Sequence, residues 1–309
     1  MKKISIVVPV YYNFDNLEPL YNDLKNKLFN NLKSLNYDYE LILVDDGSKD
    51  NSYDKILYLK SIDDKIKAVK LSRNFGMHSA ILAGFSVCTG DVAVIKMADI
   101  QEPTEIILEM LSEYNNGAEV VLAIRKDRRD SLISKLFSNT YYNVFRKLSG
   151  LDMPNGGFDT FLADRKVINV LVSLNEKNTT LMGLVLWSGF KTSKIYFNRL
   201  EREIGKSKWT LKKKVKLFED SIYSFSIFPI KLIAGIGIAF FIVSFFLIIY
   251  FIYEKLTNNV PVRGFTTLAI ILLFGIGLIL FSLSIIGEYI YRIFDETRNR
   301  PPYIISEEK

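Results

Sequence analysis

Apolar and polar positions fall into two regimes along this chain. Up to about residue 215, short apolar runs alternate with amphipathic stretches; beyond it lie two long runs without a single charge. Ile4 to Val10 is a continuous, β-branched run, the pattern of a strand buried on both faces of a parallel sheet. Similar runs recur at Tyr39 to Val44, Ile66 to Leu71, Asp91 to Lys96 and Glu119 to Ile124. Helical spacing separates them. Asp15 to Lys33 sets Leu17, Leu20, Leu24 and Leu28 on one face, with Asp15 as its cap. Further helices open at Asp50 and Asn51 and cover His78 to Cys88 and Glu105 to Asn115. Pro103 is placed at the first position of the last of these, where its missing N–H is harmless. The strand–loop–helix rhythm predicts an α/β fold with a Rossmann-like three-layer sheet. Leu132 to Leu148 is another helix, with Phe137, Tyr141, Val144 and Phe145 on a stripe for core or membrane packing.

The second regime changes the picture. Leu232 to Tyr253 is 22 residues without a charge, and Phe265 to Gly287 is 23. At ~1.5 Å per residue, each reaches across a bilayer core of ~30 Å. A short loop with Asn258, Asn259 and Pro261 joins them, so they are expected to form a transmembrane hairpin. Before it, Lys212, Lys213, Lys214 and Lys216 interleave with Leu211, Val215, Leu217 and Phe218. That is an amphipathic, basic helix suited to a membrane surface. Lys206 to Lys216 precede the first span and Arg292, Arg298 and Arg300 follow the second, while the linking loop has only Lys255 and Arg263. The bias puts both termini in the cytoplasm. Glu288 falls at the exit of the second span. The expected division is a cytosolic domain over 1–210, an interfacial helix over 211–230, the hairpin over 231–288 and a cytoplasmic tail over 289–309.

Composition sharpens this. The 309 residues allow one large domain or two smaller ones, and 49% are hydrophobic, an excess that comes from the two long runs. The 40 basic and 34 acidic residues leave a net charge of +6. Because the cations cluster before the first span, they suit lipid head groups or phosphates better than nucleic acid. A single cysteine, Cys88, permits no internal disulfide, which fits a reducing compartment. The two lysines and short apolar run at the start read as a first strand, not a signal peptide. His78, the single histidine, reads as a helix-start residue and not as a ligand.

The candidate chemistry centres on Thr89 to Pro103, TGDVAVIKMADIQEP. Its strand ends in a loop with Asp99, Gln101 and Glu102, and open α/β sheets bind ligands at the C-terminal ends of their strands. Asp99 and Gln101, two apart on an extended segment, would point the same way. They could offer hard oxygen ligands to Mg2+ or Mn2+, with a nucleotide diphosphate supplying more. The plainer alternative is a polar loop capping the next helix. Tyr11, Asn13, Asp45, Asp46 and Arg73 would gather on the same edge. Met153 to Asp159 is a turn with paired glycines that delivers an acid; glycines permit close backbone approach to a ligand or simply shape the turn. Arg199 to Trp209 is a basic, glycine-containing loop.

With these residues in order, the chain resembles the family-2 glycosyltransferases of GT-A fold. Within them it is similar to dolichol-phosphate-mannose-synthase-like enzymes, in particular bacterial polyprenyl-phosphate glycosyltransferases with two C-terminal transmembrane helices. The resemblance rests on IVVPVYYN ending at Asn13, LVDDGSKDNS (43–52), LSRNFG (71–76), TGD (89–91), ADIQEP (98–103), GGFDTFLADRKV (156–167), GLVLWSGFK (183–191), RLEREIGKSKW (199–209) and GEYIYRIFDETRNRPPYI (287–304). It implies inverting transfer of a sugar from a nucleotide diphosphate sugar (UDP- or GDP-linked) to a polyprenyl phosphate such as undecaprenyl phosphate. The setting implied is the cytoplasmic face of a bacterial inner membrane, and the product serves cell-envelope glycosylation. By the same resemblance Pro9, Tyr11, Asn13, Asp45 and Asp46 hold base and ribose, with Arg73, Ala98 and Asp99 beside them. Asp99 and Gln101 carry Mg2+ or Mn2+. Asp159 orients the sugar or the metal shell. Arg125, Arg199, Arg202, Lys206, Ser207 and Lys208 meet the diphosphate or the lipid phosphate, and Asp99, Asp159 and Arg202 are the catalytic set. A homo-oligomer, tetrameric in relatives, is also implied. The acceptor phosphate is already ionised, so the demand is to hold two anions close rather than to remove a proton.

The chain departs from the pattern in places. Met97, a poor Mg2+ ligand, stands where many relatives have an Asp. Phe161, and the neighbourhood of Thr179 and Met182, lack Arg residues that relatives often show, and Phe14 replaces an acid after Asn13. An alternative reading is a catalytically weak, membrane-bound nucleotide-sugar-binding or scaffolding subunit, which Met97 favours and Asp99, Gln101 and the basic loop oppose. A processive polysaccharide synthase would need a Gln-x-x-Arg-Trp motif and more membrane helices. A nicotinamide oxidoreductase would need Gly-x-Gly-x-x-Gly after the first strand.

Overall fold

The apolar runs pair into one sheet in a computed structural model of the chain, which describes residues 1–126, 132–174, 176–200, 211–258 and 264–309. Its eight strands lie in the order β7-β5-β6-β4-β1-β2-β3-β8. β1 (Lys2–Val10) is central, flanked in parallel by β2 (Tyr37–Asp45) and β4 (Val92–Ile95), with β3 (Ile66–Leu71) parallel beyond β2. Burial on both faces is why these segments are predominantly apolar: Ile6 and Val8 enter one core and Val7 the other. One face is covered by α1 (Phe14–Leu24), α3 (Ser52–Ile62) and α5 (Ile106–Asn115), which bury Leu17, Ile56 and Met110. The other is covered by α4 (Met77–Val87), α6 (Leu132–Ser149), α7 (Arg165–Ser173) and α8 (Leu181–Trp187), which bury Phe85, Phe145, Ile168 and Leu184. The three-layer expectation holds.

The sheet is mixed, not wholly parallel. β6 (Phe158–Asp164) runs antiparallel between β4 and β5 (Val120–Arg125), and β7 (Thr192–Phe197) lies parallel outside β5. Asp159 therefore sits on a strand, not at the end of a turn. At the far edge β8 (Ile305–Glu308) pairs antiparallel with β3. Other expectations shift locally. Position 13, not Asp15, precedes the first helix, and no side chain caps it. That helix passes through a π turn (Lys25–Phe29), α2 (Asn30–Leu32) and a 3-10 turn ending at Leu35. Pro103 opens a separate turn, with Ile106 N–H donating to its carbonyl at 3.3 Å, and α5 starts only at Ile106.

Beyond the sheet come α9 (Leu211–Phe225), α10 (Phe228–Asn258) and α11 (Phe265–Thr297). α10 and α11 each hold a window long and apolar enough to cross a membrane, with none of it covered by protein. α9 docks on the expected aromatic stripe of α6: Tyr141 and Ser221 hydroxyls share a 2.8 Å hydrogen bond, and the Tyr141 and Phe218 rings lie 5.9 Å apart. Arg292, on α11, joins the parts. It donates to Asp220 of α9 at 2.9 Å, to Glu288 of its own helix at 2.9 Å and to the Asn178 carbonyl of the α7–α8 loop at 3.0 Å. Arg292 and Asp220 are each only 13% exposed. Arg292→Ala is therefore expected to destabilise the protein in detergent by about 3 kcal/mol, since it strands a shielded carboxylate. Arg292→Lys should recover part of this, because an ammonium cannot reproduce the fork. A thermal midpoint for Arg292→Ala equal to wild type would show that the junction is held elsewhere.

Candidate active site

The parallel register delivers the ends of β1, β2, β3 and β4 to one edge, as the sequence predicted. The first two loops are pinned to each other. Asn13 Oδ1 accepts from Tyr11 N–H at 3.0 Å, Tyr12 N–H donates to Ser48 Oγ at 3.0 Å, and Asn13 N–H donates to Ser52 Oγ at 3.1 Å. Tyr12 takes a left-handed φ of 53° to make this turn. Pro9 lies in β1 opposite Val44. Asp45 is fully buried, its carboxylate accepting from Ser48 N–H at 3.2 and 3.3 Å. Asp46 staples the second loop to the third, accepting from Phe75 N–H at 2.7 Å and Gly76 N–H at 3.0 Å. Burial pushes both acids above the usual carboxylate range, and these N–H groups oppose it. Gly47 allows the approach: its φ is +68°, and a Cβ there would stand 2.6 Å from the Asn74 nitrogen. Arg73 reaches the same edge, its guanidinium 4.1 Å from the centre of the Phe75 ring.

The loop after β4 is not the extended segment expected. Ala98 and Asp99 form a turn, and Ile100 has a left-handed φ of 53°. Such a value is costly for a β-branched residue and persists only where surroundings enforce it. Asp99 Oδ1 accepts from Gln101 N–H at 3.4 Å. Gln101 Oε1 accepts from the Arg199 guanidinium, and the Gln101 carbonyl accepts from Leu200 N–H at 2.9 Å. Arg199 is thus brought to the predicted metal loop; Arg202, Lys206, Ser207 and Lys208 lie outside the described residues. On the other side Arg125, at the end of β5, is ion-paired with Asp159. The Arg199 and Arg125 guanidiniums at this edge have the fork geometry that suits a phosphate. Among the described residues no three His, Cys, Asp or Glu side chains gather to enclose a metal. Asp99 and Gln101 fit a hard cation by donor chemistry, with a diphosphate completing the shell.

The sequence reading missed what lies beneath this loop. Lys96 is 1% exposed and its ammonium donates to the Glu102 carbonyl. Glu102 is 3% exposed and accepts from Thr160 Oγ1 at 2.5 Å. Burial pushes Lys96 down and Glu102 up, and each charge offsets the other. A lysine ending an otherwise apolar run was the available signal. A cavity of about 290 Å3 is lined by Arg73 and Phe75 together with His78, Lys177, Asp295 and Arg300. Desolvation pushes the His78 imidazole below its ordinary pKa, against the pull of Asp159 and Asp220.

The chain is similar to known proteins over nearly its whole length. The chain is 38% identical over 304 residues to the uncharacterized glycosyltransferase YkcC of Bacillus subtilis (strain 168), covering 98% of this chain and 93% of that one. It is 33% identical over 308 residues to the bactoprenol glucosyl transferase of Shigella phage SfV, covering 99% of each. Among solved structures, glucosyl-3-phosphoglycerate synthase from Mycobacterium tuberculosis aligns with 71% of this chain and 80% of its own at 15% identity, with a TM-score of 0.49. The family model for Glycosyl transferase family 2 matches residues 5–168. The chain belongs to glycosyl transferase family 2 and has the mixed-sheet GT-A architecture, followed by two apolar helices of membrane length.

Proposed function

We propose that the protein transfers a sugar from a nucleotide diphosphate sugar to the phosphate of a polyprenol, with inversion, at the cytoplasmic face of a bacterial plasma membrane. The observation that carries this reading is end-to-end similarity, hairpin included, to a relative named bactoprenol glucosyl transferase. In this reading the Pro9–Asn13 loop, Asp45, Asp46, Arg73 and Ala98 frame the nucleoside. Asp99 and Gln101 hold Mg2+ or Mn2+, which when bound neutralises the leaving diphosphate. Arg199, already on Gln101 Oε1, gives up or shares that oxygen and meets a phosphate. Arg125 and Asp159 stand across the edge, one for an anion and the other for sugar hydroxyls. Arg202, Lys206, Ser207 and Lys208 supply further cations from the basic loop. The acceptor attacks as an anion, so the residues need only hold it in line and exclude water. α10 and α11 cross the bilayer as a hairpin with both termini cytoplasmic, and chains associate through lipid-facing helix surface.

Incubating the protein in detergent with undecaprenyl phosphate, Mg2+ or Mn2+ and a panel of UDP- and GDP-sugars is expected to give one lipid-linked sugar by mass spectrometry, lost with EDTA. A product that survives EDTA would retain the transferase and remove the metal from Asp99 and Gln101. Nucleotide binding without product from any donor would favour the weak, scaffolding reading, for which Met97 is the argument.

A further inference from the structure

The loop from Asp99 to Glu102 is held in a conformation it would not keep alone. Ile100 has a φ of 53°, in the region where a β-branched side chain crowds the backbone. Opposing forces must come from the ends of the loop. At the Gln101 end, Arg199 and Leu200 N–H attach to its side chain and carbonyl. At the Glu102 end both partners come from inside the protein. Lys96, in the same chain segment, holds the Glu102 carbonyl. Thr160 is fully buried and donates to Glu102 Oε2 at 2.5 Å. Thr160 also follows Asp159, whose carboxylate is paired with Arg125. One hydroxyl therefore joins the loop bearing Asp99 to the strand bearing Asp159.

We propose that Thr160 and Glu102, with Lys96 beneath them, form a buried clamp that sets the spacing between the Asp99–Gln101 loop and Asp159, making Thr160 and Glu102 positioning residues for the transfer. This rests on the reading of that loop as the metal and diphosphate site. Simple satisfaction of buried polar groups is the competing account, since such groups are nearly always hydrogen-bonded. It leaves unexplained why three polar side chains occupy a place that apolar residues of the same volume would fill with less desolvation. The clamp account gives a reason: a hydrogen bond fixes distance and direction, where apolar packing fixes only volume.

The test is Thr160→Val beside Thr160→Ser, assayed with undecaprenyl phosphate and the preferred donor. Mn2+ affinity is measured separately by electron paramagnetic resonance with UDP and with GDP. Thr160→Val is expected to lower kcat and Mn2+ affinity by on the order of tenfold, as loss of an outer-shell partner typically does. KM for the lipid should stay within about twofold, because the acceptor-binding cations are untouched. Thr160→Ser keeps the hydroxyl and is expected to restore both within about twofold. Glu102→Gln, which retains an acceptor, should fall between them. Wild-type kcat and Mn2+ affinity in Thr160→Val would overturn the clamp, and so would a Thr160→Ser protein as impaired as Thr160→Val at equal thermal midpoint. A wild-type protein that neither transfers sugar nor binds Mn2+ with either nucleotide would overturn the site reading itself, and the clamp with it.

Discussion

Asp99→Ala is expected to reduce sugar transfer by on the order of 10²–10³-fold, the scale of losing a key electrostatic group at a reacting centre. Nearby acids are in other hands. Glu102 is bonded to Thr160, Asp159 is paired with Arg125, and Asp46 holds Phe75 and Gly76 N–H. Met97, two residues before Asp99, has no carboxylate to offer in its place. Asp99→Asn keeps an oxygen but not the charge and should fall between the two. The thermal midpoint of Asp99→Ala should stay within about 2 °C of wild type, since the residue lies in a turn at the sheet edge and not in a core. Transfer is measured with the donor found active for the wild-type protein. A variant that keeps more than a tenth of the activity would mean that the diphosphate is neutralised elsewhere, with Arg199 and Arg125 the first places to look.

The largest effect on stability is expected at the opposite edge. Glu40 on β2 is 2% exposed. Its carboxylate meets Lys3 at 3.0 Å and Lys67 at 3.1 Å, and accepts from Ser5 Oγ at 2.6 Å, Thr89 N–H at 2.5 Å and Gly90 N–H at 3.1 Å. Burial alone would raise its pKa. The donors, Ser5 and Thr89 first and then the two lysines, outweigh burial and bring it down to about 2. A folded-state pKa below the unfolded one gives stability that is complete above about pH 4.5 and is lost as the pH falls toward 2. The shift corresponds to roughly 3 kcal/mol. Glu40→Ala removes the charge and leaves its donors unpaired inside the sheet, an expected loss of about 3–5 kcal/mol. Urea unfolding of the detergent-solubilised protein at pH 7 would measure it. In Glu40→Gln, the acid limb of stability between about pH 4.5 and pH 2 should flatten, because the titrating group is gone. Unchanged acid sensitivity in Glu40→Gln would place the titration on other carboxylates.

What could be seen beforehand follows from geometry. β1 to β4 were legible because double-sided burial demands predominantly apolar runs. β6 was not, since Asp159 and Thr160 interrupt FDTFLAD, and β8, ISEE, has too little apolar character to announce a strand. At the site, Asp45, Asp46, Arg73 and Asp99 stood out because polar residues right after apolar runs mark strand ends. Their partners did not: Asp46 meets Phe75 29 residues later, and Glu102 meets Thr160 58 residues later. Pairings of that range depend on the order of strands in the sheet, and the antiparallel insertion of β6 beside β4 is what brings Thr160 under the loop.

The C-terminal strand carries a consequence in time. β8 joins β3 through the Val69–Glu308 and Lys70–Glu307 pairs, and Ser72 N–H, one residue before Arg73, donates to the Ile304 carbonyl at 3.0 Å. During synthesis this strand leaves the ribosome only after both apolar helices. Until then the β3 edge is bare, and exposed edges invite wrong partners. In the proposed topology, with α10 and α11 each crossing the bilayer once, β8 would reach β3 only because the second crossing returns the tail to the side of the sheet. Completion of the sheet would then report that both crossings had been made, and a chain stalled after one would leave the β3 edge uncovered.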